Sequence, residues 1–199
     1  MFVPGTWRFV VIGVVAAVAA SFVWLPLTAL VLAATLGVTL FFRDPDRDPP
    51  TCGVLAPADG TVTVLREEGE QLRVGVFMNV TDVHVNRAPL SATVESVTHE
   101  TGAHRPALSK ESDRNERVTI DCGDHEIALI AGWFARRIHP YVAAGDRIDR
   151  GDRIGHISFG SRTDVVLPAT IDREHLAVSQ GDTVRAGETV IASHPDTDP

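Results

Sequence analysis

The stretch Gly145-Asp146-Arg147-Ile148-Asp149-Arg150-Gly151-Asp152-Arg153-Ile154 returns 36 residues later as Gly181-Asp182-Thr183-Val184-Arg185-Ala186-Gly187-Glu188-Thr189-Val190. Both copies read G-D-x-(I/V)-x-x-G-x-x-(I/V). The glycines tolerate the positive φ of a tight corner, and the β-branched residues suit the inner face of a sheet, so the repeat predicts hairpin corners in a small β-sandwich. Outward from it, Gly60 to Leu65, Leu72 to Phe77, Ala92 to Val97, Arg117 to Asp121 and Ile127 to Ala131 are β-rich runs separated by Gly, Asp and Asn turns. No stretch beyond residue 43 has a convincing helical period. The expected fold class is mainly β: a compact sandwich or barrel-like domain over residues 44–199.

The N-terminus is different in kind. Between Arg8 and Arg43 lie 34 residues without a charged side chain. One straight helix of that length would reach about 50 Å, against a hydrocarbon core of roughly 30 Å. Pro26 divides the run into Phe9 to Leu25 and Leu27 to Phe42, so residues 1–43 predict a transmembrane α-helical hairpin, with a single tilted helix as the alternative. Both ends of a hairpin share one side, and Arg8, Arg43 and Arg47 place that side in the cytoplasm of a cell membrane.

Residues 44–199 hold 16 of the 18 basic residues and all 26 acidic ones, a formal charge of −10. Nucleic acid is excluded as a partner on that balance. Lys110 is the single lysine, and the acidic, lysine-poor composition is of the type that stays soluble in concentrated salt. Cys52 and Cys122 have no metal-ligand spacing and read as two free buried thiols. The histidines His99, His104, His125, His139, His156 and His175 show neither HxH nor HExxH spacing, so no metal is assigned. The repeat also occurs in lipoyl- and biotinyl-carrier domains. A non-catalytic, membrane-anchored module of that class would need an exposed lysine, and Lys110 in its polar loop is the sole candidate.

Phe159-Gly160-Ser161 sits between the strand-like runs Ile154 to Ser158 and Asp164 to Pro168. By itself the tripeptide reads as an ordinary turn, yet a Gly-Ser bond at a tight turn can also be cut by the chain itself, the serine hydroxyl attacking the preceding carbonyl. Four further segments accompany it in order: Phe41-Phe42-Arg43-Asp44-Pro45, Ala56-Pro57-Ala58-Asp59-Gly60, Val83-His84-Val85-Asn86-Arg87-Ala88-Pro89 and Asn115-Glu116-Arg117. With Phe159-Gly160-Ser161-Arg162, this order and spacing resembles the short phosphatidylserine decarboxylases over about residues 41 to 170.

The resemblance implies a proenzyme that makes its own cofactor. The Ser161 oxygen would attack the Gly160 carbonyl, leaving chains 1–160 and 161–199 and a pyruvoyl group at the new N-terminus, which forms a Schiff base with the substrate. The chemistry agrees: decarboxylating an α-amino acid needs an electron sink, and no ordinary side chain supplies one. The substrate would be a serine phospholipid in the membrane, phosphatidylserine or its ether-lipid counterpart archaetidylserine. The two chains would stay associated, and a homo-oligomer is left open. By motif position Asp59 and His84 would serve Ser161 as orienter and base, while Arg87, Asn115, Arg117 and Arg162 would lie near the substrate phosphate or carboxylate. One departure stands out: longer members carry H-x-x-H, and here the second histidine is replaced by Arg87, which cannot act as a base at neutral pH.

Overall fold

Two antiparallel helices come first, α1 (Thr6–Ser21) and α2 (Leu25–Phe41). Val23 and Trp24 each donate a backbone bond to Ala20, closing α1, and Pro26 occupies the first turn of α2, where its missing N–H costs nothing. Close approach depends on Gly13, where a Cβ would fall 2.2 Å from the Thr35 hydroxyl. The computed structural model describes residues 1–102, 115–132, 138–158 and 160–194, and the chain divides into two units, Met1–Asp46 and Arg47–Pro199.

The helical pair stands where the hairpin was expected, but the expected membrane crossing is not supported. Among the described residues no helix is long and apolar enough to cross a membrane. The 16 and 17 residues of α1 and α2 give about 24 and 26 Å, because the turn at residues 22–24 is taken from the apolar run itself. Their outer surfaces are nonetheless apolar: Phe22 is 87% and Leu25 77% exposed, with Trp7, Ile12 and Leu30 similarly uncovered.

The second unit is built of strands. In chain order they are β1 (Val54–Leu55), β2 (Gly60–Glu68), β3 (Gln71–Phe77), β4 (Val85–Arg87), β5 (Ala92–Thr93), β6 (Ser96–Glu100) and β7 (Arg117–Asp121). They continue as β8 (Glu126–Ile130), β9 (Ile138–Pro140), β10 (Arg147–Ile148), β11 (Arg153–Ile157), β12 (Arg162–Val166), β13 (Thr183–Val184) and β14 (Val190–Ala192). A seven-stranded antiparallel sheet runs β13-β2-β3-β12-β8-β7-β6; a smaller sheet runs β4-β11-β9, and β10-β5 and β1-β14 are pairs. The sequence-predicted strands recur with shifted ends. Ala92 to Val97 is broken into β5 and β6, and β12 starts at Arg162, directly after Ser161.

The register explains the core. Val76 pairs with Thr163 and Thr163 with Leu129, while Val74 pairs with Val165 and Val165 with Ile127. Alternation puts these on one face, where all but Thr163 join one apolar cluster with Ile154 and Ile157 of β11. Arg162 and Asp164 point to the other face. The repeat glycines Gly145, Gly151, Gly181 and Gly187 have φ between 71° and 100°, as expected, and Ile148 and Val184 are buried. The corners are not closed hairpins, however: β10 pairs with β5 and β13 with β2, so each copy clips a distant strand. Cys122 is buried and Cys52 only half-buried, both free. Burial first, then Asp124, Asp121 and Glu95, push the Cys122 thiol up to about 11.

Candidate active site

Gly160 holds φ +62°, the left-handed region that an L side chain resists, and Ser161 after it is wholly buried. Phe159 lies outside the described residues. The Ser161 carbonyl accepts from the Met78 amide at 2.9 Å, and the Met78 sulfur lies 4.0 Å from the Ser161 hydroxyl. Met78 is buried and a weak acceptor, so it holds the hydroxyl only loosely. The same sulfur lies 3.7 Å from the amide nitrogen of Asn86, which also donates to the Thr163 hydroxyl at 2.7 Å.

Asp59 occupies the turn before Gly60, whose backbone passes so near β3 that a Cβ would meet the Phe77 carbonyl at 2.0 Å. Only glycine permits that approach, and it carries the Ala58-Asp59-Gly60 turn to the segment that holds Ser161. The carboxylate is engaged there. Arg47 Nη2 donates to both oxygens at 3.0 and 2.9 Å, and the Ala186 amide donates to Oδ1 at 2.8 Å. Arg47 also reaches Glu188 at 3.3 Å, so an arginine between the helical pair and β1 braces the second repeat against the Asp59 turn.

His84 is buried at the head of β4, its carbonyl accepting from Ile157 of β11. Its Nδ1 lies 3.0 Å from the Asp82 carbonyl, which can only accept, so Nδ1 carries the hydrogen and Nε2 the lone pair. That is the tautomer of a base. Asp59 bonds Arg47 and Ala186, Ser161 faces Met78, and His84 Nδ1 faces the Asp82 carbonyl.

Two histidines given no role from the sequence lie beside His84. His139 of β9 and His156 of β11 are register partners with rings stacked 4.5 Å apart, and the Tyr141 hydroxyl is 2.8 Å from His156 Nδ1. Burial, then the charges of His139 and His84, push the His156 imidazole down to about 4. It is neutral at physiological pH. Their separation in sequence hid them, since only the β9-β11 register makes neighbours of residues 17 positions apart.

The four residues expected at the substrate make the following contacts within the chain. Arg162 points away from Ser161 by strand alternation and grips Asp164 through two bonds, Nε to Oδ1 at 2.6 Å and Nη2 to Oδ2 at 2.9 Å. Arg87 is buried, donating to the Gly151 carbonyl at 3.1 Å. Asn115 is buried, donating to the Ala131 carbonyl at 2.8 Å and pinning the start of β7. Arg117 is partly exposed, 3.4 Å from Glu100. Their positions explain structure first: each stabilises a strand or corner around the site. Lys110, on which the carrier alternative rested, lies outside the described residues, as does His104. Among the described residues no cluster of His, Cys, Asp or Glu could hold a metal ion.

The phosphatidylserine decarboxylase family model matches residues 35–192, a span that takes in Asp59, His84, Gly160 and Ser161. The chain belongs to the phosphatidylserine decarboxylase family. A Halobacterium salinarum protein provisionally named archaetidylserine decarboxylase proenzyme is 58% identical over 194 residues, covering 95% of this chain and 97% of that one. The phosphatidylserine decarboxylase proenzyme of Streptomyces griseus is 44% identical over 173 residues, 84% of this chain and 79% of its own. A Methanococcoides burtonii protein, also provisionally named archaetidylserine decarboxylase proenzyme, is 46% identical over 167 residues, 81% of this chain and 77% of its own. For a member of the phosphatidylserine decarboxylase family, the buried serine behind a left-handed glycine is the feature to explain.

Proposed function

We propose that this protein is a self-processing decarboxylase that converts a serine phospholipid to its ethanolamine form and CO2, with Ser161 as the source of a pyruvoyl group. The observation that carries the reading is Gly160 at φ +62° directly before a wholly buried Ser161, in a chain of this family. In cleavage the Ser161 oxygen bonds to the Gly160 carbonyl carbon as the peptide C–N bond breaks, the hydroxyl proton passing to the nitrogen. Elimination then frees the Gly160 carboxylate, and hydrolysis releases ammonia. The site fits the group: the position is buried, and no side-chain amine or carboxylate stands in hydrogen-bond contact with Ser161 among the described residues.

A carbonyl conjugated to the substrate nitrogen draws off the electron pair that loss of CO2 leaves on the α-carbon. The chain's own residues prepare that chemistry. His84, with its lone pair on Nε2, takes the proton; the Asp59–Arg47 pair holds the adjoining turn in place. Cleavage would not release the smaller chain, because β12 lies between β3 and β8 and keeps five register pairs with each. The apolar outer surface of α1 and α2 supports seating residues 1–46 in lipid, with Arg8 and Arg43 favouring the cytoplasmic face. The acidic, lysine-poor composition, with the 58% relative, favours archaetidylserine. Vesicles containing each serine lipid test the reading: CO2 and the ethanolamine lipid should form with the native protein and not with Ser161→Ala. Native, cleaved protein that leaves both lipids unchanged contradicts it.

A further inference from the structure

Asn86 is fully buried and belongs to a strand otherwise explained by packing. Its amide nitrogen is spent on Thr163 and the Met78 sulfur, yet its carbonyl oxygen has no hydrogen-bond partner. A buried amide oxygen without a donor costs about 1–3 kcal/mol, and natural chains keep such a group where something else supplies the donor. The group stands beside the reactive serine: Asn86 Nδ2 and Ser161 Oγ both lie within 4.0 Å of one sulfur atom. Its neighbours include the Met78 thioether, the Thr163 hydroxyl and, by register, Gly155 of β11.

We propose that the Asn86 side-chain carbonyl accepts a hydrogen bond from the primary amine of the serine head group as it reaches the carbon derived from Ser161. The inference rests on the pyruvoyl reading above and deepens it by assigning the residue that recognises the amine. The chemistry favours an amide here. An amine must be unprotonated to add to a carbonyl, and a buried neutral acceptor directs an N–H without holding the ammonium form as a carboxylate would. Of the polar groups nearest Ser161, the thioether accepts poorly and the Thr163 hydroxyl already receives the Asn86 N–H. With the His84 Nε2 lone pair assigned to proton transfer, the Asn86 oxygen is a buried neutral acceptor available to an N–H.

The test uses cleaved protein whose terminal ketone has been reduced with borohydride, so that binding is read without turnover. Short-chain phosphatidylserine is compared with the same lipid lacking the amine. The native protein should prefer the amine, Asn86→Leu should lose that preference by about tenfold, the worth of one buried hydrogen bond, and Asn86→Asp should keep it. An Asn86→Leu protein that retains the preference overturns the inference. Cleavage lost in both variants, with melting temperatures near native, would move Asn86 to the maturation step and also overturn it. A native protein that never cleaves overturns the pyruvoyl reading and this inference together, whereas cleaved native protein beside unaltered variants sinks the inference alone.

Discussion

At residue scale, the site separates groups that hold from groups that react. Asp59 is bound by Arg47, with side-chain exposures of 14% and 8%, so removing either partner strands a mostly buried charge. Arg47→Ala should cost about 3 kcal/mol in denaturant unfolding of the full chain and slow self-cleavage. Unchanged stability would show that the pair is not a brace. Asp59→Asn and His84→Ala should slow cleavage by on the order of 100-fold, followed as loss of full-length mass with time. Normal processing and normal CO2 release in both would remove them from the mechanism. His156 gives a pH prediction. Its folded pKa lies below the unfolded value, so the unfolded chain binds the proton more readily; the stability this neutral imidazole contributes is present above about pH 6.5 and is lost as pH falls toward 4. His156→Gln should flatten that part of the melting temperature against pH.

The element that organises the site is β12, which begins one residue after the proposed Gly160/Ser161 cleavage point and threads the centre of the large sheet. Its outward face carries a buried ion cluster: Arg162 on Asp164, and Asp164 3.5 Å from Arg73, in the space Gly75 leaves by lacking a Cβ. Removing Arg162 alone leaves a buried carboxylate, so Arg162→Met should cost about 3–5 kcal/mol, while Arg162→Met with Asp164→Leu should recover most of it. A double variant whose cost equals the sum of the two single variants would refute the coupling. Legibility follows this division. The β character, the repeat glycines and the tight turn at Gly160 were legible because turns and alternation are local properties of sequence. The commitment of Arg162 to Asp164 was not, since an i,i+2 pair on one strand face looks the same whether solvent or protein covers it. Nor were Asn86 beside Thr163, or His139 against His156, which depend on which strands become neighbours.

For the whole molecule, the helical pair and the β unit answer different demands, one exposing apolar surface and the other burying a charged active strand. Residues 1–43 were legible as a helical pair from an uncharged run broken by Pro26, but helix length was not, because the turn at 22–24 shortened both members. If the pair seats the protein in lipid, the full chain should float with vesicles in a density gradient and a chain beginning at Arg47 should not. Equal flotation would place the lipid contact elsewhere. The two processed chains should co-elute under native conditions and separate in denaturant. Everything in the enzymatic account follows from one broken peptide bond, and the mass of the purified protein under denaturing conditions reads it directly. Two chains meeting at Gly160/Ser161 are predicted, the smaller blocked to Edman degradation and Ser161→Ala remaining whole; a native protein of one unbroken chain with an intact serine at position 161 would contradict the account.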